Sequence, residues 1–329
     1  MNLKFTFAIL SASVFYVGCA QIPKEVKTTL SDQDIGTIRF NTAKPLVTQR
    51  TKLNWATGKS AGFALDNAKS LQLSGELAFP AGPGPFPAVV FAHGCSGTAY
   101  TSAKAWAPRL REWGYATFEV DSFRPRGYAR ICEDIQRLLP LERVPDVYGA
   151  LNVLSTHPKI DPQRIALMGA SHGGIVTINA ATQWAKDTFA QNGRGYRAFF
   201  PLYPYCNVSI PELESISAPI RIHTGELDDW TPAKPCEQYV ASLKASGQDA
   251  GIHVYPKAHH AFDDPSQEFY YGANFQNVAK CWWRGAAILD PMTVEPLSCV
   301  SRGGTVGRNA AAMEAARTNV RAELGQLLK

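Results

Sequence analysis

The chain has 329 residues, 45% of them hydrophobic and only 19% charged, with a formal net charge of +5 at pH 7. That apolar content suffices for one large core, and the dilute, scattered charge excludes the basic stripe of a nucleic-acid binder. The seven cysteines and seven histidines never fall in C-x-x-C or H-x-x-x-H spacing, which argues against a metal centre; no cofactor is expected.

At the start, Lys4 precedes an apolar stretch from Phe5 to Val17 and the small residues Gly18-Cys19-Ala20, the three-part pattern of a secretory signal, too short to span a bilayer. Cleavage after Ala20 fits this pattern, and acylation of Cys19, as in a lipoprotein signal, fits it as well. Both readings place the protein outside the cytoplasm, periplasmic or secreted, and the second anchors it to a membrane through lipid alone. Either leaves six cysteines, and an even number in an exported chain predicts three bridges: Cys95–Cys132, Cys206–Cys236 and Cys281–Cys299. The last pair lies within one late insertion.

Residues 21–70 read as a polar leader with edge β structure, and residues 71–329 as a single catalytic domain. Alternation from Leu71 to Phe79 predicts a half-buried antiparallel strand, and Pro80 to Pro87 a loop. The unbroken apolar run Ala88-Val89-Val90-Phe91-Ala92 suits a strand covered on both faces, hence a largely parallel sheet. A helix from Ala103 to Trp113, a strand from Tyr115 to Val120, a long loop from Asp121 to Leu139 and a helix from Leu141 to Ser155 follow. The turn Asp161-Pro162 leads into the apolar strand Arg164 to Met168. Further strands are expected at Ala198–Leu202, Pro219–Thr224 and Ile252–Tyr255, with a helix at Pro235–Ala245. A terminal helix from Asn309 to Leu328 carries Ala310, Met313, Ala316, Val320 and Leu324 at helical spacing. Strands alternating with helices demand a doubly wound α/β sheet.

The chemistry concentrates at Gly169-Ala170-Ser171-His172-Gly173, a G-x-S-x-G segment between a predicted strand and a predicted helix. Such an abrupt reversal needs flanking glycines and presents the central serine above the sheet, so Ser171 is the expected nucleophile. A serine hydroxyl needs a base to take its proton and a carboxylate to orient that base. Downstream, Gly225-Glu226-Leu227-Asp228-Asp229 offers the acid, with Asp228 preferred over Asp229 and Glu226. Ala258-His259-His260-Ala261 offers the base, with His260 preferred over His259. The backbone amides of Cys95 and His172 are the expected oxyanion donors, with the His172 ring turned away. His157, His223 and His253 read as surface or core residues.

These segments, Phe91-Ala92-His93-Gly94-Cys95-Ser96-Gly97, the elbow at Ser171, Gly225-Glu226-Leu227-Asp228 and His260-Ala261-Phe262, resemble the dienelactone hydrolase branch of the α/β-hydrolases. The resemblance covers roughly Leu71 to Phe262. It implies an α/β-hydrolase fold, a mostly parallel sheet flanked by helices, preceded by N-terminal antiparallel strands and followed by a disulfide-bearing insertion. Dienelactone hydrolases proper use cysteine where this chain has Ser171, which implies a general esterase acting on a small-molecule ester through an acyl-enzyme. An exported peptidase or amidase of the same fold, and a non-catalytic envelope binding protein, are the competing readings. Arg124 and Tyr205 are candidate substrate-binding residues, beside Phe123, Arg126 and Tyr203. The insertion from Pro265 to Gly304, with Tyr270, Tyr271, Trp282 and Trp283, lies outside the shared pattern.

Overall fold

The computed structural model describes residues 25–47, 65–98, 102–209, 215–284, 287–289 and 298–328; the expected export signal and Cys19 lie outside the described residues. The chain forms strands β1 (Val26–Lys27), β2 (Gly36–Asn41), β3 (Gln72–Ala78) and β4 (Phe86–Ala92), then helix α1 (Ser102–Glu112) and strand β5 (Ala116–Asp121). Helix α2 (Val144–Leu154), strand β6 (Ile160–Ala170), helices α3 (His172–Ala180) and α4 (Gln183–Phe189), and strand β7 (Ala198–Leu202) follow. Strand β8 (Ile220–Gly225), helix α5 (Ala233–Ala245), strand β9 (Ala250–Tyr255) and the terminal helix α6 (Ala310–Leu327) complete the main framework.

Nine strands make one sheet in the order β1-β2-β3-β5-β4-β6-β7-β8-β9. Strand β3 runs antiparallel to both β2 and β5, whereas β5, β4, β6, β7, β8 and β9 are mutually parallel. The apolar run in β4 shows why the parallel part must be central. Ala88, Val90 and Ala92 enter one core cluster with α2, α3 and α5, while Val89 and Phe91 enter another with α1 and α6. Successive side chains of a strand point to opposite faces, so a strand apolar at every position needs a helical layer on each side. Each fully buried Val or Phe there contributes about 1.5–3 kcal/mol.

Two expectations shift in detail. Strand β6 runs through the predicted turn at Asp161-Pro162, and the turn survives as a break in pairing. Ile160 pairs with Phe86 and the next partnership is Ile165 with Ala88, while Asp161 Oδ1 accepts the Gln163 amide at 2.9 Å. In α6 the buried stripe is Ala312, Ala316, Val320 and Leu324; Ala310, at the exposed first position, is not part of it. All three expected disulfides are present: Cys95–Cys132, Cys206–Cys236 and Cys281–Cys299. The late insertion folds into short antiparallel pairs, Tyr270–Tyr271 with Thr305–Val306 and Gln276–Asn277 with Ser301–Arg302.

Candidate active site

At the carboxyl end of β6 the backbone turns into α3 within one residue, Ser171, at φ 55° and ψ −118°. That conformation is costly for a non-glycine residue and persists only where its surroundings enforce it. Here they do: a Cβ on Gly169 would lie 2.2 Å from the Gly173 carbonyl oxygen, and one on Gly173 would lie 2.0 Å from the Ala92 carbonyl oxygen. Both glycines are therefore fixed by close backbone approach, and Ser171 is held at the rim of a cavity of about 580 Å³.

His260 lies in the loop after β9 and lines the same cavity. Its Nδ1 is 2.8 Å from Asp228 Oδ2, and the other carboxylate oxygen accepts the amides of Trp230 at 3.0 Å and Thr231 at 2.7 Å. The Thr231 hydroxyl lies 2.9 Å from Asp228 Oδ2. A carboxylate so placed holds the Nδ1–H tautomer and leaves Nε2 as the basic nitrogen. Nε2 is buried and has no hydrogen-bond partner among the described residues. The imidazole is gripped by the rings of Tyr203, 4.6 Å away and edge-on, and Trp230, 4.9 Å away.

The rival acids are engaged elsewhere. Asp229 accepts the Thr305 amide and hydroxyl, each at 2.7 Å, and so ties the acid loop to the late insertion. Glu226 accepts the Lys257 amide at 2.8 Å. His259 packs edge-on against Phe269, 5.3 Å away.

Cys95 lines the cavity beside Gly94 and Ser171, and His172 opens α3. The first amides of a helix have no intrahelical acceptor, which leaves the His172 N–H available to an anion. The His172 ring is buried away from the cavity, between Arg143 and the Leu138 carbonyl. His93 is buried as well: its Nε2 accepts the Ser122 amide at 3.2 Å and its Nδ1 meets the Gly94 carbonyl oxygen at 2.8 Å. Burial first, and the Arg143 charge second, hold both imidazoles well below the usual histidine range, so both are neutral.

The candidate substrate residues require correction. Arg124 is exposed, lies 3.8 Å from Asp121, and lines a separate groove of about 950 Å³ with Arg39, Glu76 and Glu119. Tyr205 is buried and its hydroxyl donates to the Cys281 carbonyl, bracing the insertion. Arg126 forms a two-pronged pair with Asp146, both contacts at 2.8 Å, and Phe123 is fully buried against the rings of His93 and His172. Of the five, Tyr203 alone lines the cavity. Much of the remaining wall comes from residues that the sequence does not single out for this role: Arg130 and Trp230, joined by Tyr270 and Phe275 of the insertion and by the polar stretch of Asp264, Ser266, Gln267 and Glu268. Phe275 stacks on Trp230 at 4.4 Å, Arg130 pairs with Glu133, and the Cys132 carbonyl accepts the Gln276 amide at 2.9 Å.

The dienelactone hydrolase family pattern matches residues 73–292. The acylamino-acid-releasing enzyme of Rattus norvegicus is 24% identical over 218 residues, which cover 55% of this chain and 29% of that enzyme, so the match spans under a third of the relative's length. Two solved structures share the fold. One, named m3DLH, has a TM-score of 0.54 at 18% identity and covers 79% of this chain and 94% of its own. The other, a dienelactone hydrolase-like promiscuous phosphotriesterase from metagenomic libraries, has a TM-score of 0.52 at 15% identity over 89% of this chain and 100% of its own.

Proposed function

Because the chain belongs to the dienelactone hydrolase family, hydrolases of the α/β-hydrolase fold, we propose that it is a serine esterase working through Ser171, Asp228 and His260. Ser171 Oγ adds to the ester carbonyl carbon while His260 Nε2 takes the hydroxyl proton. The carbonyl electron pair moves onto oxygen, which the amides of Cys95 and His172 receive; the proton then passes to the departing alkoxide. Water attacks the acyl-enzyme by the same route in reverse. Asp228 keeps the imidazole in its productive tautomer and balances its charge when protonated. Two aligned amides at the oxyanion contribute several kcal/mol, about 2.7–4 for each donor removed in a comparable site.

The observation that carries the reading is the Asp228–His260 pair, with Nε2 left without a partner among the described residues and His260 lining the same cavity as Ser171. The cavity's size and its aromatic wall of Tyr203, Trp230, Tyr270 and Phe275 favour an ester with a compact apolar group, with Arg130 the cation near it. Three disulfides fit an oxidising compartment, so export is part of the proposal. The likeness to an acylamino-acid-releasing enzyme keeps amide cleavage as the second reading. Rates on matched p-nitrophenyl esters and p-nitroanilides of increasing acyl length separate the two. Faster ester turnover with an optimum at short or medium acyl groups is expected; anilide turnover at equal or greater kcat/KM would favour the peptidase reading.

A further inference from the structure

Arg143 closes the turn Pro140–Arg143 just before α2, and its side chain is fully buried. Its Nη2 donates to the His93 carbonyl oxygen at 3.0 Å, and its Nη1 lies 2.8 Å from His172 Nδ1. His172 Nε2 is 2.9 Å from the Leu138 carbonyl oxygen. A carbonyl can only accept, so Nε2 carries the proton and Nδ1 must accept from Arg143. Phe123 closes the arrangement, its ring centroid 5.0 Å from the Arg143 guanidinium carbon. One side chain thus holds the backbone of the 93–95 turn after β4 and the imidazole of the first residue of α3, the two segments that meet at Ser171.

The charge of that side chain has no direct ion-pair partner among the described residues and is offset only at a distance, by Asp146 and Asp121. Of the carboxylates near it in the chain, Glu142 accepts the Leu139 amide at 2.8 Å and Asp146 holds both prongs of Arg126. Burial pushes the guanidinium down to about 9, where it is still protonated at neutral pH.

We propose that Arg143 is the positioning residue of the oxyanion site, fixing the spacing of the Cys95 and His172 amides and placing a buried positive charge behind them. The inference rests on the serine-esterase reading of the cavity. Arg143 does not line the cavity and acts through His93 and His172, so it works on the alkoxide that forms when the carbonyl electron pair moves to oxygen, and hardly on the neutral ester.

The test compares Arg143→Met, which keeps length without charge, and Arg143→Lys, which keeps charge without the fork, on p-nitrophenyl butyrate, with thermal melting as the control for folding. Each is also titrated with an aryl trifluoromethyl ketone, which becomes an oxyanion on addition of Ser171, and with the matching carbinol, which cannot. Arg143→Met should lower kcat about 100-fold with KM within about twofold, and weaken the ketone in parallel while the carbinol is unaffected. Arg143→Lys should recover part of both losses. Retention of kcat by Arg143→Met, or a fall in kcat with ketone affinity intact, would overturn the proposal. If Arg143→Met does not fold, a folded Arg143→Lys with wild-type kcat and ketone affinity overturns it equally. Turnover at the wild-type rate in Ser171→Ala would instead remove the Ser171 nucleophile on which the reading rests, and the role of Arg143 with it.

Discussion

Asp228 Oδ2 lies 2.8 Å from His260 Nδ1, and the same carboxylate is held from its other side by two backbone amides. The carboxylate is therefore fixed independently of the histidine, and in the proposed mechanism its main service is orientation and charge balance. Asp228→Asn should lower kcat about 10⁴-fold by favouring the wrong imidazole tautomer, with little change in melting temperature. Asp229→Asn should keep most activity and lose stability, because it gives up the charged contacts to Thr305. Steady-state kinetics and thermal melts on both variants decide; the reverse pattern would move the acid one residue along.

The Cys95–Cys132 bridge forms part of the cavity wall, whereas Cys206–Cys236 joins the segment after β7 to α5. Removing either bridge should cost about 2–4 kcal/mol of stability. Only the paired Cys95→Ala and Cys132→Ala variant should also lose activity at a temperature where both variants are folded, since the proposed mechanism draws an oxyanion amide from Cys95. Equal specific activity in the two folded variants would separate the oxyanion turn from its bridge.

Gly173 and Gly325 make a controlled contrast. A methyl group on Gly173 meets the Ala92 backbone, so Gly173→Ala should destabilise by more than about 3 kcal/mol or prevent folding. At Gly325, inside α6, a Cβ meets nothing within 4 Å, and Gly325→Ala should raise stability by about 0.5–1 kcal/mol. Denaturant titration of both variants checks the pair.

The terminal helix carries a pH dependence. Burial opposes ionisation of Glu323, but His223 and His253, 3.1 and 2.9 Å away, outweigh it and hold the carboxyl at about 2. A carboxyl depressed in the folded state contributes stability that is present above its unfolded value, near 4.5, and is lost as pH falls toward 2. The loss should be on the order of 2 kcal/mol, reduced by the part of the carboxylate that remains solvated. Glu323→Gln should flatten the stability profile between pH 4.5 and 2; an unchanged slope would assign the acid sensitivity to other carboxylates.

What the sequence reveals here is what local chemistry encodes. The run Ala88 to Ala92 reads as a doubly covered strand because each of its residues is apolar, and the elbow reads as an elbow because two glycines flank Ser171. The sequence prefers Asp228 to Asp229, but the physical ground for the choice appears only once their neighbours are in place, one beside His260 and the other beside Thr305. The cavity wall is less legible still. Arg130, Trp230, Tyr270 and Phe275 come from three loops whose paths depend on contacts such as Gln276 to Cys132, far apart in the chain. Arg143 gives no local signal at all, since within a predicted helix an arginine ordinarily reads as a solvated residue; only the packing of 93–95 against 172 buries it. Arg124 and Tyr205 fail for the converse reason, lying in the expected loops but facing other partners.

The central claim is that Ser171 is the nucleophile of an ester hydrolase. The most direct measurement is reaction of the purified protein with a fluorophosphonate, followed by peptide mapping alongside residual turnover of p-nitrophenyl butyrate. The account predicts one phosphonate per chain, on the peptide containing Ser171, with activity lost in proportion to labelling and neither labelling nor turnover in Ser171→Ala. Label on a different residue, or undiminished ester hydrolysis by the Ser171→Ala protein, would contradict it.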